Sequence, residues 1–155
     1  MITKNQLPHI EEVLQHRGNM RLIDHLIEFN NEAIVAEYSP RSDAWYADDQ
    51  GNMPAWIGIE LMAQAVAAHV GMLKRAAEMP QKNGALVGTR RYSSAVSSFA
   101  AGLALQIQVT VVYQDASGLG AYDCSINCDG CALATATLKV FEPDDFQTFL
   151  QESLS

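Results

Sequence analysis

The sequence predicts a single α+β domain in which a curled antiparallel sheet surrounds one long helix, and three observations predict it. The run Met53-Pro-Ala-Trp-Ile-Gly-Ile-Glu-Leu-Met-Ala-Gln-Ala opens behind Pro54 as an apolar helix, with Ile57, Leu61, Met62, Val66 and Val70 recurring at helical spacing. Stretches 103–114, 119–128 and 131–141 alternate apolar and polar residues between the turn signals Asp115-Ala-Ser-Gly and Asp129-Gly130, the pattern of an antiparallel meander. A chain of 155 residues with 48% hydrophobic residues fills one core and is too short for two ordinary ones, so the domain is expected to span 1–155.

In order along the chain, residues 7–16 place Pro8 at a permitted helix start and Ile10, Val13 and Leu14 on one face, which predicts a short amphipathic helix ended by Gly18-Asn19. Residues 20–29 and 33–38 read as strands joined by a hairpin turn at Asn30-Asn31. The stretch 39–52 is polar, dotted with aromatics and aperiodic, and a loop of that length inside a compact domain is usually functional. The long helix is predicted over 54–79, roughly 36 Å at 1.5 Å per residue, with Pro80 and Gly84 closing it. Strands are predicted at 85–92 and over the three meander segments, and a last helix is expected after Asp144, with Phe146, Phe149 and Leu150 on one face. A hairpin, one buried helix, then a meander long enough to wrap it is the element order of the hotdog fold. A lone sheet of this kind has free edges, and hotdog subunits commonly join into one continuous sheet, so a dimer is expected.

The formal charge of −8 and pI near 4.8 exclude a general nucleic-acid or anionic-membrane surface, which would repel the chain at long range. What positive charge there is gathers at Arg17/Arg21, Lys74/Arg75 and Arg90/Arg91. Residues 55–73 approach membrane-spanning length, but Glu60, Gln64 and His69 interrupt them and Lys74-Arg75 follows, so a core helix fits better than a span. The first residues carry no secretory leader pattern, and a cytoplasmic protein is expected. Three cysteines confined to one segment make no disulfide framework. Cys128-Asp-Gly-Cys131 spells a redox or zinc pair, but its hairpin turn sets the two opposite each other on adjacent strands, where a redox motif calls for a helix N-terminus and zinc for further ligands. Ordinary strand cysteines, with no metal and no cofactor, are the reading here.

Glu60 and Gln64 are the chemistry-bearing residues of the long helix. Four positions apart, they project from one face among apolar neighbours. A carboxylate in such a setting must be paired, protonated or employed, and desolvation moves its pKa toward the range useful for proton transfer. The alternative is an acid on a solvated strip of the helix or one tied to a core arginine.

Two segments resemble the 3-hydroxyacyl-[acyl carrier protein] dehydratases of fatty acid synthesis. Gln15-His-Arg-Gly-Asn-Met-Arg-Leu-Ile-Asp is similar to that family's PHRYPFLLVD, and Met53-Pro-Ala-Trp-Ile-Gly-Ile-Glu-Leu-Met-Ala-Gln to its MPGVLIIEALAQ. The resemblance covers residues 11–142 and implies that Glu60 is the catalytic acid and Gln64 its supporting amide. The family's catalytic histidine, in a GHFPG loop fourteen residues before the glutamate, has no counterpart: Tyr46 of Trp45-Tyr-Ala-Asp-Asp stands there. A subgroup lacking that histidine, associated with aryl polyene pigment clusters, is the one this chain resembles.

Dehydration of a 3-hydroxyacyl thioester needs a base for the C2 proton, an acid for the departing C3 hydroxyl and donors to the thioester oxygen. One carboxylate is a poor set. His69, nine residues from Glu60, falls on the opposite side of the helix, and His9 and His25 match no family site. His16 matches the first motif and is the candidate second catalytic group; the alternative is a structural histidine. Tyr46 is a candidate substrate-binding donor or an aromatic plug on the acyl tunnel. Arg90 and Arg91 follow the helix where family members carry basic residues near the acidic carrier protein, and suit its phosphopantetheine phosphate as well as they suit an edge strand kept from aggregating. The expectation is a dehydratase acting on carrier-bound 3-hydroxyacyl chains to give trans-2-enoyl thioesters, as a homodimer or a heterodimer with another hotdog subunit. A non-catalytic subunit that stabilises an active hotdog partner and an acyl thioesterase are the alternatives.

Overall fold

A computed structural model of the chain describes residues 2–3, 7–14, 20–78 and 85–141, with the side chains of 2, 3, 85–87 and 90 outside the description. The strands are β1 (Ile2–Thr3), β2 (His25–Phe29), β3 (Ala33–Tyr38), β4 (Met53–Pro54), β5 (Ala85–Ser94), β6 (Ser98–Phe99), β7 (Leu105–Gln114), β8 (Leu119–Cys128) and β9 (Cys131–Phe141). The helices are α1 (Ile10–Val13) and α2 (Gly58–Ala76). Seven strands form one antiparallel sheet in the order β1-β2-β3-β7-β8-β9-β5, while β4 and β6 pair separately. This large antiparallel sheet about one central helix is the hotdog architecture.

The alternation seen in the sequence is what turns one face of the sheet toward α2. Ile34, Ala36 and Tyr38 lie opposite Val109, Ile107 and Leu105, and Val109 and Ile107 continue through Cys124 and Ile126 into Ala136 and Ala134. All of them are buried, as are Leu61, Met62, Ala65, Val66, Ala68 and Met72 on the helix that they face. The alternate positions Gln106, Gln108, Asp123 and Thr135 look outward. The alanines in both layers let the helix lie close to the sheet, so its apolar length belongs to the core.

Several boundaries differ from the sequence expectation. The helix expected over 54–79 begins with a 3-10 turn, Ala55–Ile57, and its α-helical part stops at Ala76, followed by Ala77 as cap and Glu78 in a left-handed conformation at φ 56°. The Tyr92 hydroxyl donates to the Ala55 carbonyl and holds that first turn. It also occupies the space beside Gly58, where a Cβ would collide with it and meet Ile126 Cδ1 at 3.0 Å, so the helix start accepts no side chain without repacking. The strand expected over 20–29 is confined to β2, His25–Phe29, because the Met20 carbonyl and the Leu22 amide bond to a helix side chain and not to a ladder. Among the described residues the helix expected over 7–16 is the single turn Ile10–Val13. The helix expected after Asp144 lies outside the described residues.

His69 shows how the far end of α2 is fastened. It is fully buried, and its Nε2 lies 3.0 Å from the Asn30 carbonyl in the β2–β3 turn, so that nitrogen carries the proton. Nδ1 then accepts from the Tyr122 hydroxyl at 3.3 Å, and Gln114 Nε2 donates to the same hydroxyl at 2.9 Å. Burial lowers the His69 pKa, an effect that its bonds to the 30–31 backbone partly offset. The unfolded chain therefore takes up a proton near pH 6.5 that the folded chain refuses, and stability is lost as pH falls below that value. The denaturation midpoint should drop between about pH 6.5 and 5, and His69→Gln should flatten that limb while lowering the midpoint at pH 8. An unchanged slope in the variant would remove His69 as the cause.

Candidate active site

Glu60 lies in the first turn of α2, where the positive end of the helix dipole favours a carboxylate. It is half-buried, so it keeps an open side, whereas Gln64 one turn on is fully enclosed. The Gln64 amide uses both ends. Its Nε2 donates to Glu60 Oε1 at 3.1 Å and to the Met20 carbonyl at 2.7 Å, and its Oε1 accepts the Leu22 amide at 2.8 Å. One side chain thus fixes the carboxylate and pins the segment 20–22 across the helix face. The sequence suggested the Glu60–Gln64 pair through its four-residue spacing; the partners at Met20 and Leu22, more than forty residues away, carry no local signal.

Around this pair the helix stripe is incompletely covered. Trp56, one turn before Glu60, is 66% exposed, and the Met20 side chain 63%, while Ile59, Ala63, Ala67 and Val70 are only part-buried. Large apolar side chains left open beside a fixed carboxylate form an apolar rim around the site.

The family is decided by the sequence as a whole: the model of the ApeP-like family, described as ApeP dehydratase, matches residues 8–151. The chain belongs to the ApeP-like dehydratase family. Among solved structures it is similar to the dehydratase heterocomplex ApeI:P from Xenorhabdus doucetiae, at 24% identity and a TM-score of 0.86, covering 94% of this chain and 97% of that one. It is also similar to Cj0977, a sigma28-regulated virulence protein of Campylobacter jejuni (16% identity, TM-score 0.64, 88% of each chain), and to the E. coli PaaI protein of phenylacetic acid degradation (14%, 0.60, 75% and 80%). These likenesses establish the hotdog fold. No curated protein matches the sequence.

In this ApeP-like chain Tyr46 is buried, and its hydroxyl pairs with that of Tyr38 while accepting the Arg41 amide at 3.0 Å. Asp24 completes the cluster, taking Arg41 Nη2 at 2.7 Å and the Ser39 amide at 3.1 Å. Burial first, and the bond to Tyr46 second, push the Tyr38 pKa far up, so Tyr38 stays neutral. Tyr46 therefore fastens the loop 39–52 to β3, with its polar tip engaged there. Tyr38 and Asp24 were not singled out from the sequence, because partners across a loop have no spacing rule.

His16 lies outside the described residues, as does the Arg90 side chain, although the Arg90 backbone pairs with Thr137 in β5. Arg91 sits at a bulge in β5, in a left-handed conformation at φ 57°, with an exposed side chain. It lines an open groove of about 430 Å³ on the outer face of the sheet, together with Gln108, Thr110, Asp123, Thr135 and Thr137. The Glu60–Gln64 pair belongs to the opposite, helix-bearing side. Among the described residues no three His, Cys, Asp or Glu side chains converge as metal ligands would.

Proposed function

We propose that this chain is the carboxylate-bearing subunit of a hotdog dehydratase, acting on 3-hydroxyacyl thioesters carried by an acyl carrier protein and yielding trans-2-enoyl products. The observation that carries the reading is the Gln64 amide, which holds the Glu60 carboxylate and the 20–22 backbone in one arrangement with an open side. Elimination of water moves two protons: one leaves C2 and one joins the C3 hydroxyl as it departs. Glu60, aimed by Gln64, is the principal acid/base group of that exchange. His16 is the candidate second group within the chain, Gln64 and Tyr46 are the candidate substrate-binding residues, and Arg90 and Arg91 are candidates for carrier docking.

A heterodimer with a second hotdog chain is favoured by two features. The position corresponding to the dehydratase loop histidine is Tyr46, whose hydroxyl is already engaged by Tyr38 and the Arg41 amide. The exposed Trp56 and Met20 beside Glu60, and the ten-residue edge β5, offer a surface for a partner sheet and helix. The ApeI:P complex is a heterocomplex of the same fold, which supports the same arrangement here. Work on carrier-bound intermediates of a pigment of the aryl polyene kind, in the cytoplasm, fits this family.

The experiment is turnover of a 3-hydroxyacyl carrier-protein substrate by the chain alone and with the partner hotdog chain, read as loss of water from the acyl group. Dehydration by the chain alone supports His16 as second group; dehydration only in the mixture supports a group supplied by the partner. Retained activity when Glu60→Gln replaces wild type in the active mixture would mean the chain is a non-catalytic stabilising subunit. Release of free carrier thiol in place of enoyl product would mean a thioesterase. For docking, replacing Arg90 and Arg91 by Ala should weaken reaction of the carrier-bound substrate but not of a small free thioester. That difference should shrink as salt shortens the Debye length from about 8–10 Å. Equal loss on both substrates would assign the arginines to the fold or the site.

A further inference from the structure

The tip of the β8–β9 hairpin carries two thiols for which the proposed reaction has no use, Cys128 packed at the margin of the core and Cys131 exposed. Cys128 and Cys131 are direct cross-strand partners, separated only by Asp129-Gly130. Both turn residues have positive φ, 50° and 80°, as the two-residue hairpin turn requires, so the facing of the two cysteines is fixed by the backbone. Residues flanking such a turn have Cα atoms about 5.5 Å apart when they exchange backbone bonds, within the range that a disulfide spans. Their side chains lie on one face of the sheet, with Cys131 exposed, Cys128 part-buried and neither oxidised. Cys124, the third thiol, faces the core and is 4% exposed, and burial pushes it up to about 12, so it takes no part at neutral pH.

We propose that Cys128 and Cys131 form a reversible oxidation site, closing to an intrachain disulfide by exchange with a small disulfide of the glutathione class. The Cys131 thiolate attacks one sulfur of glutathione disulfide, forming a mixed disulfide and expelling one glutathione thiolate. The Cys128 thiolate then attacks the Cys131 sulfur and expels the second. The two protons given up by the cysteines end on the two glutathione thiols, and two electrons pass from the protein to the oxidant. No helix N-terminus activates these thiols, so the pair is a site of modification and not a dithiol oxidoreductase.

Closure tightens a part of the fold that borders the proposed site. Two residues before Cys128, Ile126 packs against the Gly58 start of α2, and two residues after Cys131 the Leu133 carbonyl accepts the Ala95 amide at 2.8 Å. A stapled tip therefore holds the support beneath the helix that bears Glu60.

The test is incubation of the purified full-length chain with excess glutathione disulfide, then alkylation under denaturing conditions and mass analysis. Two of the three thiols should be protected, with loss of two hydrogens and a bridge mapped between Cys128 and Cys131. Dithiothreitol should restore all three, and the oxidised form should melt higher by a few degrees. Cys131→Ser should leave Cys128 reduced or carrying one glutathione, and Cys124→Ala should leave the bridge intact. Three free thiols after this treatment, stable glutathione adducts on both cysteines, or bridges only between chains would each overturn the proposal.

Discussion

Glu60→Gln is expected to lower turnover of a 3-hydroxyacyl carrier-protein substrate by roughly 10²-fold or more, measured in the active mixture with the partner subunit. The substitution keeps the shape of the side chain and an oxygen that can accept from Gln64 Nε2, now 3.1 Å from the carboxylate. It removes only the titrating proton site. The melting temperature should change little, because the carboxylate is half-buried and the amide keeps an oxygen to accept from Gln64. Undiminished turnover would exclude Glu60 from proton transfer, and a large fall in melting temperature would make it a structural acid.

Gln64→Leu should do both kinds of damage at once. Leucine fills the space but offers no polar atom, so the Leu22 amide and the Met20 carbonyl lose their partner, and Glu60 loses the group that aims it. A buried backbone group left without a bond costs about 1–3 kcal/mol, which applies to the Leu22 amide, while the part-buried Met20 carbonyl adds less. For a domain of this size each kcal/mol lowers the melting temperature by roughly 2–4 °C. A drop several times that of Glu60→Gln is therefore expected, with turnover falling as well, since segment 20–22 is released from the helix. Normal stability in this variant would show that another group takes up the two backbone partners.

The contrast between these variants follows the limits of the sequence. The meander strands were readable to the residue at 119–128 and 131–141, because Asp129-Gly130 fixes the register on both sides. The helix was readable from its apolar spacing, but its start was not, since the 3-10 turn at Ala55–Ile57 depends on the Tyr92 hydroxyl reaching across from β5. Residues 20–24 look like the start of a strand, and tertiary demand overrides that pattern at Met20 and Leu22, which bond to Gln64. The Glu60–Gln64 pair was visible as a four-residue helical spacing. Its backbone partners, the Tyr38–Tyr46 pair and the His69–Asn30 tie were not, because contacts between distant segments have no periodicity to betray them.

The two ends of the sheet differ in a way that governs how many chains can join. Among the described residues one end is β1, two residues long, and the other is β5, with ten. Addition of a strand is a cooperative process that needs length, so a two-residue border is a poor template whereas a ten-residue border is a good one. A protein with two good borders polymerises, each newcomer presenting the same invitation as the last. With only one, the first pairing uses up the sole invitation and leaves two short ends facing outward. If β5 is the seam, growth is expected to stop at a pair of subunits, a limit set by the difference of eight residues between the described ends.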